Sequence, residues 1–452
     1  MRTAIIGSKI IHAHNLRFEG KHYLNDNSFL SLQLEGKYEN CVELGTIANV
    51  FNPPVFKRQF CKKTPRAVPY FQSSDVQNAE EFSNTFVFKR QAETLNLLVK
   101  QGDVLVTGFG TIGNTRLVSK HQDGVCYANN VCRIRRNNDF LNGYIYAFMS
   151  SKYGIAQLNK NASGSVVRYI ESPGIKKTLI PNFPKAFQME VDNLIQKSAR
   201  LKEEATDALD EAHTIFEQCI RIERISNLSD NKISIQSILS AHNKRFEGSY
   251  YASKNRRIYN YITSNFEYKT LGYYAEKIFR PGIFKRDYVK NGVTFLGGAD
   301  ILMAIPSSEK QLSYKQVEKM PELMTHHGWI LVTCGGTIGN TVFIDKQLEK
   351  CAISQHVMRI VPNEDTLKGY IYAVLSSEIG KQLITLYSTG SVIPQVESHH
   401  LERIPIPTLA YDEMNRINDL VNSYVSKNED SKMMEIQAIS MVESEIEKWN
   451  KN

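Results

Sequence analysis

LVTGFGTIGNT, Leu105–Thr115, returns as LVTCGGTIGNT, Leu331–Thr341, 226 positions further along the chain. Outward from this pair, the repetition widens. VFNPPVFKRQF, Val50–Phe60, returns as IFRPGIFKRDY, Ile278–Tyr288, and AHNLRFEGKHY, Ala13–Tyr23, as AHNKRFEGSYY, Ala241–Tyr251, both 228 positions on. GYIYA at Gly143 recurs at Gly369, GSVV at Gly164 recurs as GSVI at Gly390, and IP at Ile180 recurs at Ile406, all displaced by 226. The displacement is half of the 452-residue length, so the polypeptide is one unit written twice, with a few residues inserted or deleted between copies.

Each copy reads as two parts. The first, up to about Phe183 and Leu409, alternates strand-like runs such as DVLVTGF and WILVTCG with Gly, Asn and Pro punctuation. GYIYAFMSSKYGIAQL and its partner GYIYAVLSSEIGKQLI read as one amphipathic helix each, which predicts an α+β domain of twisted β-sheet with small helices. The second part is a long polar helix. From Leu194 through Leu201, Ala205, Ala208, Ala212, Ile215, Cys219 and Ile222, steps of three and four trace a coiled-coil seam interrupted by Ser198. The counterpart from Met414 to Trp449 keeps the rhythm at Met434, Ala438 and Met441 and weakens at Lys427 and Ser431. Helices of roughly 35 to 40 residues are about 50 to 60 Å long, more than one such domain can cover. They are expected to pair as an antiparallel coiled coil, relating the two similar domains by a pseudo-twofold axis. The expected layout is a domain at 1–183, a central helix at 184–225, a second domain at 226–408 and a C-terminal helix at 409–452.

Lys and Arg number 55 against 47 Asp and Glu, a net charge of +8, and 42% of residues are hydrophobic, which fits a globular protein mildly attracted to polyanions. With neither a long uncharged apolar run nor a signal-peptide pattern, a cytoplasmic protein without membrane attachment is expected. Seven cysteines scattered without a CxxC pair point to reduced thiols and no structural zinc.

Three strings suggest enzymology and are weakened by their own second copies. GFGTIG, Gly108–Gly113, matches GxGxxG after a strand, but a pyrophosphate site needs a helix N-terminus next, NTRLVSK reads as a strand, and the first glycine becomes Cys334 in the repeat. NPPVF, Asn52–Phe56, resembles the motif with which adenine N6-methyltransferases hold the target amino group, yet its partner is RPGIF, Arg280–Phe284. The pairs His326 with His327 and His399 with His400 have no metal-ligand spacing shared by the other half. Catalytic and metal-binding residues are therefore expected to be absent, with no cofactor of the chain's own.

What both copies keep is FKR on a Pro-punctuated loop: Lys57 and Arg58, then Lys285 and Arg286. A solvated charge pair is one account; phosphate contact by Lys and bidentate guanine contact by Arg is the other, and recurrence favours DNA. In GTIGNT the glycines relieve a tight turn, while Thr111, Asn114, Thr337 and Asn340 offer short polar groups at its tip. Ser165 and Arg168 in GSVVRYIE, and Ser391 and Gln395 in GSVIPQVE, extend the candidate DNA-binding set, together with Arg133 and Arg359. RFEG at Arg17 and Arg245 reads as structural.

GDVLVTGFGTIGNT and GWILVTCGGTIGNT, the closing GSVV or GSVI followed by IPNFP or IPIPTLA, and the long helix after each resemble the specificity subunit of type I restriction-modification systems, across essentially the whole chain. The resemblance implies two target recognition domains reading a bipartite, asymmetric double-stranded DNA target, with the helix pair setting the gap. It also implies partners: methyltransferase subunits, two of them, that use S-adenosylmethionine to methylate adenine, and endonuclease/translocase subunits. The alternatives are an S-adenosylmethionine-dependent DNA adenine methyltransferase, a specificity subunit of a related methylation-based phage-defence system, and a protein scaffold. The weaker C-terminal seam leaves Met433, Met434 and Met441 as expected methyltransferase contacts.

Overall fold

VLVT at Val104–Thr107 and ILVT at Ile330–Thr333 are apolar on both faces, and each becomes a strand buried on both sides at the centre of a four-stranded sheet. This computed structural model describes Ser8, residues 26–137, 140–164, 168–221, Glu223, Tyr250, 253–389 and 394–449. Ile222, both RFEG segments with Arg17 and Arg245, and the site candidates Ser165 and Ser391 lie outside the described residues. Contacts divide the chain into two compact units, Met1–Glu203 with Asp430–Asn452, and Glu204–Glu429.

In the first unit, helix α1 (Asp26–Glu35) precedes β1 (Cys41–Glu43) and β2 (Ala48–Phe51), followed by β3 (Phe60–Cys61), β4 (Ala67–Phe71), β5 (Phe86–Phe88), β6 (Val104–Thr107), β7 (Thr115–Leu117), β8 (Cys126–Tyr127) and β9 (Val131–Arg136). Helices α2 (Asn142–Ser150) and α3 (Lys152–Asn161), strand β10 (Leu179–Pro181) and the long α4 (Lys185–Cys219) follow, with α4 belonging to this unit as far as Glu203. The main sheet has the order β2-β9-β6-β7, all antiparallel, with Val104 opposite Ile134 and Leu117. A smaller sheet, β3-β5-β4-β8, closes with the parallel pair β4 and β8, and β1 pairs with β10.

The second unit repeats this order. After α5 (Lys254–Asn265) come β11 (Tyr268–Thr270), β12 (Ala275–Phe279), β13 (Tyr288–Val289), β14 (Val293–Leu296), β15 (Gln311–Leu312), β16 (Ile330–Thr333), β17 (Thr341–Phe343), β18 (Ala352–Ile353) and β19 (Val357–Pro362). Then follow α6 (Lys368–Ser376), α7 (Glu378–Leu386), β20 (Pro405–Pro407) and α8 (Tyr411–Trp449), which belongs to this unit as far as Glu429 and to the first from Asp430. Sheets β12-β19-β16-β17 and β13-β15-β14-β18, with the two-stranded sheet β11-β20, reproduce the first unit strand for strand, so among the described residues each domain divides its strands over three sheets.

GYIYA does not open one amphipathic helix but two helices in each unit. Residues Gly143–Met149 of α2 are buried all round, as are Gly369–Leu375 of α6, which makes these central core helices. Ser151 then turns extended and its hydroxyl caps α3 by accepting from the Gly154 amide, as Ser377 does from Gly380. A Cβ on Gly154 would stand 2.3 Å from the Phe148 carbonyl oxygen, and on Gly380 2.0 Å from that of Val374, so only glycine admits the sharp break.

The long helices pair antiparallel within each unit. In the first, Phe183, just ahead of α4, packs its ring 4.5 Å from that of Trp449 at the far end of α8, and the Ser198 and Ser431 side chains each donate to the other's backbone carbonyl at 2.8 Å. In the second, Glu204 pairs with Lys427 and Glu211 with Arg416. The expected seam holds at Ser198, Ala205, Ala212 and Ile215, while Val191, Ile195 and Phe216 are buried instead of Leu194, Leu201 and Ala208, which are half-buried. On α8 the buried stripe is Ile417, Val421, Val425, Ala438, Val442 and Ile446; Met434 and Met441 flank it and Met433 is exposed. The difference arises because α4 and α8 each cover the core helices as well as one another, which widens the apolar stripe beyond a narrow seam.

Candidate nucleic-acid interface

Three segments distant in sequence converge in each unit. GTIGNT forms a turn between β6 and β7, with Gly110 at φ 73° and Gly113 at φ 93°, and its copy has Gly336 at 78° and Gly339 at 90°. The threonine ending the preceding strand holds the turn: the Asn114 amide donates to Thr107 Oγ1 at 3.0 Å, and the Asn340 amide to Thr333 Oγ1 at 3.0 Å. A strand follows, so no helix N-terminus faces the turn and the dinucleotide reading falls. Thr111 and Thr337 are exposed at the tip; Asn114 and Asn340 are half-buried.

The second segment closes over that turn. The Ile170 amide donates to the Gly108 carbonyl at 2.8 Å and the Val396 amide to that of Cys334 at 3.0 Å, extended by bridges Phe109 to Tyr169 and Gly335 to Gln395. The first unit adds a stacked Phe109–Tyr169 pair with ring centroids 5.6 Å apart, which the second lacks at Gly335 and Gln395. Arg168 is exposed and its guanidinium donates to the Asn159 carbonyl; Gln395 is half-buried.

The third segment is the Pro-punctuated loop carrying FKR. Its base is tied to the second segment by residues that differ between copies: Asn52 Oδ1 accepts from the Ser172 amide at 2.9 Å, whereas Arg280 donates to both carboxylate oxygens of Glu397 at 2.7 and 2.9 Å. The NPPVF string thus has a structural duty at the base of this loop. The Lys57 carbonyl accepts from Gln91 Nε2 at 2.9 Å and the Lys285 carbonyl from Gln316 Nε2 at 2.7 Å, which leaves both lysine side chains exposed. Arg58 lies over the Tyr70 ring at 5.8 Å and Arg286 over the Phe295 ring at 5.5 Å, cation–π contacts that hold each guanidinium at the surface.

Arg133 and Arg359 do not belong to this surface. Both are 0% exposed, on the central strands β9 and β19. Arg133 donates to the carbonyls of Ala128 at 2.9 Å, Leu97 at 3.0 Å, Tyr127 at 2.7 Å and Val131; Arg359 donates to those of Ser354 at 2.9 Å, Val357 at 2.6 Å, Leu323 at 3.3 Å and Ile353. The carbonyl sets are the same, 226 positions apart. The repeated arginine is thus a buried knot that ties four backbone carbonyls to one side chain, and burial lowers the pKa of each guanidinium to about 10, still cationic at neutral pH.

Sequence reading missed the cations that the small sheet gathers around FKR. Lys62, Lys63, Arg66, Lys89 and Arg90 are exposed at the ends of β3, β4 and β5, with Lys290, Lys310, Lys315 and Lys319 in the second unit. Their signal was there in the run KRQFCKKTPR, but strand pairing alone brings Lys89 beside Arg66, its amide donating to the Arg66 carbonyl at 2.9 Å. A positively charged surface with exposed side chains on turns suits a phosphate backbone.

Other chemistry is sparse. Among the described residues, no group of three or more His, Cys, Asp or Glu could hold a metal ion, and no helix is long and apolar enough to cross a membrane. Burial pushes the thiols of Cys41, Cys126 and Cys132 up to about 12 and Cys351 to about 11, so none of these is a thiolate at neutral pH.

Residues 232–438 match the family model of the type I restriction modification DNA specificity domain. Among solved structures the chain is similar to the S subunit of a type I restriction-modification system from M. genitalium, at 12% identity over 90% of this chain and 95% of that one, with a TM-score of 0.36. It is also similar to the HsdS subunit from Thermoanaerobacter tengcongensis, at 15% identity over 90% and 95% of the two chains, with a TM-score of 0.29. No curated protein matches the chain. Likenesses that remote carry no weight beside the match over the second half. That match identifies residues 232–438 as a type I restriction modification DNA specificity domain, and the first half of the chain repeats its motifs and strand order.

Proposed function

We propose that the chain is the DNA-reading specificity subunit of a type I restriction-modification complex, and that each unit reads one half of a bipartite, asymmetric target. The observation that carries this reading is the same three-segment basic surface built twice on one strand order, with unequal side chains at equivalent places: Tyr169 against Gln395, Asn52 against Arg280. Lys57, Arg58, Thr111, Asn114 and Arg168 serve the first unit, and Lys285, Arg286, Thr337, Asn340 and Gln395 the second. Ser165 and Ser391 join them as candidates from sequence alone. Catalysis belongs to partners: two methyltransferase subunits using S-adenosylmethionine on adenine, and endonuclease/translocase subunits, working on cytoplasmic DNA.

The test is adenine-methylation mapping in the host with and without the gene, joined to salt titration of duplex binding. Each of Lys57→Ala and Lys285→Ala should lower the slope of log affinity against log salt by about 0.9, the loss of one phosphate contact. Arg58→Ala or Arg286→Ala should relax one base position in one half-site. Unchanged affinity, slope and methylation pattern in all four variants would refute DNA reading by this surface. Micromolar binding of S-adenosylmethionine to the purified chain alone would favour the methyltransferase alternative.

A further inference from the structure

Val55 and Ile283 occupy the same place in the two copies, two residues ahead of Lys57 and Lys285. They are the most exposed large apolar side chains among the described residues, at 88% and 95%. The loop that presents them is braced. Pro53 and Pro281 beside them are buried, and Phe56 and Phe284 pack onto the cores of their small sheets. Asn52 and Arg280 tie down one side and the glutamine contacts to the Lys57 and Lys285 carbonyls the other. An apolar side chain held out in water adds nothing to folding stability, and a polar residue would fill the position as well. Both copies nevertheless place a β-branched aliphatic there. Such side chains are stiff at χ1, so ordering them against a partner costs little entropy.

The neighbours indicate the partner's chemistry. Each aliphatic tip shares its loop with an exposed Lys and with an Arg held over an aromatic ring. A surface that combines phosphate-binding cations with one protruding methyl-rich group matches the DNA major groove, where the C5-methyl of thymine is the apolar feature among base edges. Resting on the DNA-reading function above, we propose that Val55 and Ile283 are specificity-determining residues that contact a thymine methyl, one in each half of the target.

The experiment uses the full chain in complex with its methyltransferase subunits and a duplex carrying the mapped target, compared with duplexes in which deoxyuridine replaces thymine in one half-site at a time. Wild type should lose about fourfold in affinity at one such position per half-site, the worth of one buried methyl. Ile283→Ala should bind the thymine duplex about fourfold more weakly and be indifferent to uracil in its half-site, while the other half-site stays sensitive; Val55→Ala should do the converse. The proposal is overturned if wild type ignores uracil throughout, if uracil costs the variants as much as wild type, or if the variants lose the methyltransferase subunit on purification, which would assign the tips to a protein interface. Lys285→Ala run in parallel separates the two readings: an unchanged salt slope there would remove DNA contact by the loop itself, whereas a lowered slope with an inert Ile283→Ala would remove the thymine contact alone.

Discussion

Replacing Arg359 by Met tests whether the repeated arginine is a structural knot. The substitution keeps the length and apolar stem and removes the guanidinium's four hydrogen bonds to the Leu323, Ile353, Ser354 and Val357 carbonyls. Four hydrogen bonds from a charged donor are worth about 1.5 to 3 kcal/mol each, a gross loss of about 6 to 12 kcal/mol. Against this stands the several kcal/mol recovered by no longer burying a guanidinium. A net destabilisation of about 3 to 5 kcal/mol follows, a drop in Tm of about 10 °C for a unit of this size. Arg359→Lys should recover little, because one ammonium cannot fork to carbonyls on both sides of the strand. Calorimetric melting reads the stability, and salt titration of duplex binding below the melting range reads the DNA surface. A variant that melts like wild type but binds DNA with a reduced salt slope would refute the argument and return Arg359 to the interface.

His213 gives a pH signature. Burial lowers its pKa to about 4 and its Nε2 lies 2.9 Å from Ser376 Oγ, so the folded state prefers the neutral ring. The stability this contributes is complete above the unfolded value near 6.5 and is lost as pH falls through about 4, with a slope of at most about 1.4 kcal/mol per pH unit that His213→Gln should remove from urea melts recorded between pH 7 and pH 4. Gly336→Ala meets open space but must adopt φ 78°, and should cost about 1 kcal/mol by backbone strain alone; a neutral result would deny the turn geometry. Ser198→Ala and Ser431→Ala each remove a hydroxyl that donates to the opposite helix's carbonyl, at about 1 kcal/mol each, and the double variant should lose less than the two losses added, since the remaining contact between the two hydroxyls is shared; strict additivity in chemical denaturation would show that the helices do not meet there.

The repeat made much of this protein legible without coordinates. Comparison of its copies separated what the fold needs from what only one copy carries: the GTIGNT turn glycines survive with positive φ in both, while the GxGxxG and NPP strings lose members between copies and serve as a turn and a loop brace. Repetition misled at Arg133 and Arg359, because a residue needed for folding recurs as faithfully as one needed for binding, and only burial tells them apart. The break of GYIYA into two helices was written in the Ser-x-x-Gly that follows, where a hydroxyl caps a new helix and a missing Cβ lets two backbones touch. The sequence by itself determined the two-copy α+β organisation and the paired helices, since periodicity and repetition are local in the chain. The tertiary structure alone decided which cations share a surface. Lys57, Lys62, Arg66 and Lys89 gather through strand pairing and through glutamine and asparagine bonds to backbone groups, contacts whose partners lie tens of residues apart and leave no periodic trace in sequence.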